Sequence, residues 1–130
     1  MVIPMTKVML VEDNLIFRDA FKSVLLQRFP LLDVDEAADE DEALLIASFF
    51  QPDLIFVDIT LRRGNGLDLT RAIKSSGANT VIVMLSSHDL PEYRSQSQQC
   101  GADHFFSKSA PLEEVLALVE GLICPCAKVH

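Results

Sequence analysis

Apolar residues follow two rhythms along this chain. Val8-Met9-Leu10-Val11, Leu54-Ile55-Phe56-Val57 and the run within 80–86 are short and continuous, the pattern of strands covered on both faces. Two more runs complete a set of five expected strands: Lys7–Val11, Leu32–Ala37, Leu54–Asp58, Thr80–Ser86 and His104–Phe106. Between them the spacing becomes helical. Phe17, Phe21, Val24 and Leu25 share one face, as do Leu112, Val115, Leu116, Val119 and Leu122. Asp39 followed by Glu42 predicts an acidic N-cap with a box-type partner ahead of Ala43–Phe50. Gly64-Asn65-Gly66 reads as a loop after the third strand, and Gly77 as the close of the third helix. The polar segment Pro91–Cys100 is the fourth helix. Pro111 suits the first turn of the fifth, and Pro125 would end it. Strand and helix alternating five times predict an α/β doubly wound parallel sheet with right-handed crossovers.

In such a sheet, ligands bind beyond the carboxyl ends of the strands. That rim is where this sequence places its unusual residues. Glu12-Asp13 follows the first strand, Asp58 ends the third, Ser86-Ser87 ends the fourth and Lys108 follows the fifth. Converging carboxylates at the end of apolar strands are costly unless something compensates their charge, and a hard divalent cation is the usual partner. Composition narrows the classes further. At 130 residues, with 49% hydrophobic residues and net charge −8, the chain reads as one acidic globular domain. Such a surface disfavours nucleic-acid and anionic-membrane binding, and no apolar run approaches the roughly 20 residues of a membrane helix. Cys100, Cys124 and Cys126 read as reduced thiols in a cytosolic protein, not as a disulfide framework.

Three carboxylates, a hydroxyl and a lysine on one rim suit phosphoryl transfer. Glu12, Asp13 and Asp58 can hold Mg²⁺, and Asp58 can accept a phosphoryl group as an acyl phosphate. Ser86 can donate to one phosphoryl oxygen while Lys108 pairs with another. The metal would offset repulsion between the carboxylate and the incoming phosphate.

These residues carry a resemblance to the response-regulator receiver domains of bacterial two-component signalling. The matching segments are 8–14, 53–59, Gly66-Leu67, Leu85-Ser86-Ser87 and Gly101-Ala102-Asp103 through Lys108, in the family's order and spacing. The resemblance covers about residues 5–124, leaving 125–130 as a tail or the start of a linker. It implies a flavodoxin-like strand order 2-1-3-4-5. It implies Asp58 as phosphoacceptor, Asp13 as direct metal ligand, Glu12 acting largely through water, and the Thr60 carbonyl completing the Mg²⁺ ligands. Ser86 and Lys108 take phosphate-sensing roles, and Phe105 matches the family's aromatic switch position. The implied function is a cytoplasmic phosphorylation-activated switch. A sensor histidine kinase or histidine phosphotransfer protein would supply the phosphoryl group, and a face of helix four, strand five and helix five would respond. A second copy or an effector domain is the implied output partner, with the chain forming the N-terminal part of a transcriptional regulator.

The chain departs from the family pattern at three places. Arg62 stands where many receivers have proline four residues after the phosphoacceptor, so that loop is expected to be less rigid, with a guanidinium within reach of the site or a partner. Lys108 is followed by Ser109 instead of proline, so no cis peptide bond is expected there. Phe105 lacks a phenolic hydroxyl, so switching there would rest on packing, and a plain core role is its other reading. His88 reads as a surface-loop residue, His104 and His130 as structural or surface, and the acidic stretch 33–42 as a solvated face. Two other functions fit fewer residues. A degenerate receiver that only docks would not need the complete site. A phosphatase of the haloacid-dehalogenase type needs a second Asp two residues after its nucleophile, where this chain has Thr60.

Overall fold

The computed structural model describes residues 7–88 and 90–123. Pro125, Cys124, Cys126, His130 and the tail 125–130 lie outside the described residues. Five strands, β1 (Lys7–Val11), β2 (Asp33–Ala37), β3 (Leu54–Asp58), β4 (Val81–Ser86) and β5 (His104–Ser107), alternate with five helices. The helices are α1 (Leu15–Arg28), α2 (Glu40–Phe50), α3 (Gly66–Ser75), α4 (Pro91–Gln99) and α5 (Leu112–Ile123). All strand pairs are parallel and the order is β2-β1-β3-β4-β5, so the chain reverses direction of build between β1 and β3.

The period-two geometry of the strands sorts their side chains into two cores. Val8, Leu10, Leu54, Phe56, Val83 and Leu85 pack on one face against Phe21 and Leu25 of α1 and Val115, Leu116 and Val119 of α5. Met9, Val11, Ile55, Val57, Ile82 and Met84 pack on the other against Ala43 of α2 and Leu69 and Ile73 of α3. Burial on both faces is why β1, β3 and β4 are continuous apolar runs.

Element ends differ from the expected ones by a residue or so. Strands two and four begin at Asp33 and Val81, because Leu32 and Thr80 precede the ladder, and strand five extends to Ser107 by pairing with Ser86. The Asp39 side chain accepts from the Glu42 N–H as a cap should, but Glu42 reaches back to the Ala38 N–H, one residue further than a standard box. Gly66 is the first residue of α3 rather than part of the loop, with Asn65 as its cap. Pro111 immediately precedes α5, and its carbonyl accepts from the Glu114 N–H. Gly77 follows α3 with φ +81°, a conformation glycine adopts at little cost.

The acidic stretch 33–42, which reads as a solvated face, is only partly solvated. On β2, Glu36 accepts from Arg18 Nε at 3.0 Å and Lys22 Nζ at 2.9 Å, both on α1. Burial would raise the Glu36 carboxyl, but the two cations and their hydrogen bonds outweigh it and hold the group below its ordinary value. A depressed carboxylate contributes stability that is fully present above the unfolded value, near 4.5, and is lost as pH falls through the lower folded value. Glu36→Gln is therefore expected to lower the unfolding free energy by about 0.5–1 kcal/mol at neutral pH. In urea titrations the gap from the unaltered protein should close in acid; a gap that stays constant below pH about 4 would contradict the ion-pair account.

Candidate functional site

β1 and β3 are neighbours and β5 lies one strand further on, beyond β4, and the side chains beyond their carboxyl ends continue the alternation of the strands. Glu12 follows the phase of Val8 and Leu10, Asp58 that of Leu54 and Phe56, and Lys108 that of Phe106, all of the α1/α5 face. Three groups widely separated in sequence are thereby aimed at one point. Lys108 Nζ donates to Glu12 Oε1 and, at 3.0 Å, to Asp58 Oδ2. Asp13 joins them: one carboxylate oxygen from each of Glu12, Asp13 and Asp58 lies within 4.8 Å of the others. Glu12 is 4% and Asp58 6% exposed, whereas Asp13 is half-buried at the mouth.

The electrostatics of this cluster follow from burial. Glu12 is pushed up to about 7, chiefly by desolvation and further by the Asp58 charge; hydrogen bonds from Lys108 and the Asn14 N–H, with the Lys108 charge, pull against that rise. Burial would lower Lys108, but its hydrogen bonds to Glu12 and Asp58 and their charges outweigh it, so the ammonium is held above its ordinary value. Lys108 thus pairs with two of the three carboxylates, and among the described residues no further ion pair is made by this cluster. Oxygen donors that converge with excess negative charge fit a hard divalent cation.

Backbone groups shape the rim. The Thr60 N–H donates to Asp58 Oδ1 at 3.1 Å, and Thr60 bridges to Asn65 across the β3–α3 loop. Gly66 closes that loop with its N–H on the Ile59 carbonyl at 2.8 Å. A Cβ on Gly66 would collide with the Asp58 carbonyl oxygen and approach Val57 Cγ1 at 2.8 Å, both parts of a strand that cannot yield easily. Gly66→Ala is accordingly expected to cost about 1–3 kcal/mol in urea unfolding. A neutral result would mean that the loop shifts away from Asp58 at no cost.

The other expected residues have partners outside this cluster. Ser86, 1% exposed, uses its hydroxyl locally: it donates to the His88 carbonyl at 2.8 Å and accepts the His88 N–H at 3.0 Å. Phe105 has the opposite strand phase from Lys108 and packs on the α2/α3 side, with the Arg94 guanidinium of α4 4.6 Å from its ring centroid. His88 is exposed and meets Tyr93 edge-on, and His104 is half-buried on β5. Arg62 is exposed and is not among the cations paired with Glu12, Asp13 or Asp58.

Two residues of the site were not legible in sequence. Phe17 reads as one member of an apolar helix stripe, yet its ring centroid lies 4.4 Å from Lys108 Nζ. Arg18 carries no motif, yet its Nη1 donates to the Glu12 carbonyl at 2.7 Å while its Nε holds Glu36. Neither spacing nor residue type signals these contacts.

The chain is a doubly wound α/β domain with an acidic cluster and a captive lysine at the carboxyl ends of β1, β3 and β5, the rim at which sheets of this kind bind ligands. The chain belongs to the response regulator receiver domain family, whose model matches residues 8–120. Response regulator MprA of Mycolicibacterium vanbaalenii is 29% identical over 117 residues, covering 90% of this chain and 50% of that protein. The alkaline phosphatase synthesis transcriptional regulatory protein SphR of Synechococcus elongatus is 31% identical, covering 92% and 49%. The chain thus spans about half the length of the curated relatives it matches. Among solved structures, the receiver domain of a DNA-binding response regulator of Colwellia psychrerythraea superposes with TM-score 0.86 at 20% identity, over 91% of this chain and 98% of that one. Among the described residues, no helix is long and apolar enough to cross a membrane.

Proposed function

We propose that Asp58 is the phosphoacceptor of a signalling switch, charged from a phosphohistidine on a histidine kinase or phosphotransfer protein. The observation that carries this reading is the captive ammonium of Lys108, bound to Asp58 and Glu12 inside a ring of three carboxylates. An Asp58 oxygen attacks phosphorus, a P–O bond forms, and the P–N bond of the donor breaks with its electron pair returning to the imidazole. Glu12, Asp13 and Asp58, with the Thr60 carbonyl, would hold Mg²⁺, which when bound supplies the charge that lets an anionic nucleophile meet an anionic phosphoryl group.

The chain's own groups do the rest. Lys108 is already at the acceptor and pairs with a phosphoryl oxygen by exchanging one carboxylate for another anion. Ser86 must give up the bond it donates to the His88 carbonyl before it can donate to the phosphoryl group. That release alters the β4–α4 loop, and Phe105, under Arg94 of α4, repacks with it. The face of α4, β5 and α5 thereby changes the partner it binds, a second copy or an effector domain. On this reading the chain is the switch half of a longer, cytoplasmic transcriptional regulator, and 5–124 is its domain.

The test is incubation with Mg²⁺ and acetyl phosphate, followed by intact-mass measurement. A gain of one phosphoryl group is the expected result. No gain at millimolar Mg²⁺ would leave only a docking module.

A further inference from the structure

Lys108 has a third contact, and it is aromatic. Its Nζ sits 4.4 Å from the Phe17 ring centroid, in addition to the bonds to Glu12 and Asp58. Phe17 is held in place from beneath. Its ring stacks on Phe21 at 5.8 Å with an 11° interplanar angle, and Phe21 meets Phe56 edge-on at 4.9 Å. Phe56 lies on β3 two residues before Asp58, so a ladder of three rings runs from the central strand up to the lysine. The Lys108 side chain is 15% exposed, a site shielded enough for ring quadrupole attraction to count.

We propose that Phe17 is a positioning residue for Lys108, an aromatic floor over which the ammonium moves between its resting carboxylates and a phosphoryl oxygen. The physical reason lies in directionality. The Glu12 and Asp58 bonds fix the ammonium at particular oxygens, whereas attraction to a ring face is broad and survives a swing of the side chain. A leucine at 17 would fill the space but leave the ammonium held only by directional bonds. The proposal rests on the reading of Lys108 as the phosphate-pairing group, although the resting contact can be tested without it.

The first experiment uses metal-free protein and a double-mutant cycle in urea. Phe17→Leu should reduce the folding equilibrium constant about three- to tenfold more when Lys108 is present than in a Lys108→Met background. Equal losses in the two backgrounds would overturn the contact. The second follows phosphoryl uptake from acetyl phosphate with Mg²⁺. Phe17→Leu should slow uptake about three- to tenfold, Phe17→Tyr should restore it, and Phe17→Leu should add nothing to Lys108→Met. A tyrosine variant as slow as leucine, or an additive loss, would overturn the positioning role. If the unaltered protein takes up no phosphoryl group, the function proposed for Asp58 fails, and the metal-free cycle alone then decides the resting contact.

Discussion

Asp58→Ala is expected to take up no phosphoryl group from acetyl phosphate under conditions in which the unaltered protein gains one, a complete loss rather than a slowing. Three carboxylates line the site, so the choice of acceptor needs an argument. Glu12 is buried, and its carboxylate is disfavoured by desolvation and by its neighbour, which makes it a poor nucleophile. Asp13 sits at the mouth, half-buried, and is not among the partners of Lys108. Asp58 ends the central strand, and its two oxygens already accept an ammonium and a backbone N–H, the groups that would orient a nucleophile and then share the new charge. Removing it also lessens the crowding of carboxylates while Lys108 keeps Glu12. The variant should therefore remain folded, and loss of uptake will report chemistry. Uptake that persists in Asp58→Ala would move the acceptor to Asp13 or Glu12 and break the proposed mechanism.

Phe56→Ala should produce the largest loss of stability, about 3–5 kcal/mol in urea unfolding. Phe56 is 2% exposed on β3, with β1 on one side and β4 on the other, and is the largest fully buried side chain among the described residues. Truncation removes apolar contact and leaves a cavity beneath Phe21, which a strand paired on both edges cannot collapse to fill. A domain of this size typically has about 5–15 kcal/mol in hand, so the variant is expected to fold but to melt much earlier. A loss below about 1 kcal/mol would show that helices α1 and α5 close over the gap, contrary to the packing seen. The same substitution removes the lowest ring of the ladder under Phe17, so Lys108 should lose part of its aromatic floor as well.

Much of this protein is legible in its amino-acid order because the information is local. Continuous apolar runs at 8–11, 54–57 and 81–85, short and rich in β-branched residues, are the pattern of strands covered on both faces, and that burial is what the two cores display. Asp39 caps a helix because a short polar side chain before an amphipathic run satisfies free backbone N–H groups wherever the helix ends up. Glu12-Asp13, Asp58, Ser86 and Lys108 could each be placed at a strand end, and a doubly wound topology puts strand ends on one rim.

Which of those residues touch was decided only by the tertiary structure. Strand alternation, carried across the register of β1, β3 and β5, sends Glu12, Asp58 and Lys108 to the α1 side and Phe105 to the opposite side. Ser86 follows its own loop and bonds to His88, because a hydroxyl takes the nearest backbone partners when no phosphoryl group competes for it. Phe17 and Arg18 became part of the site only when α1 packed across the end of β1, bringing a ring to the lysine and a guanidinium to the Glu12 carbonyl. Residue type and spacing determine which groups reach the rim; the distances that turn Glu12, Asp13, Asp58 and Lys108 into one charged site come from packing between elements far apart in the chain.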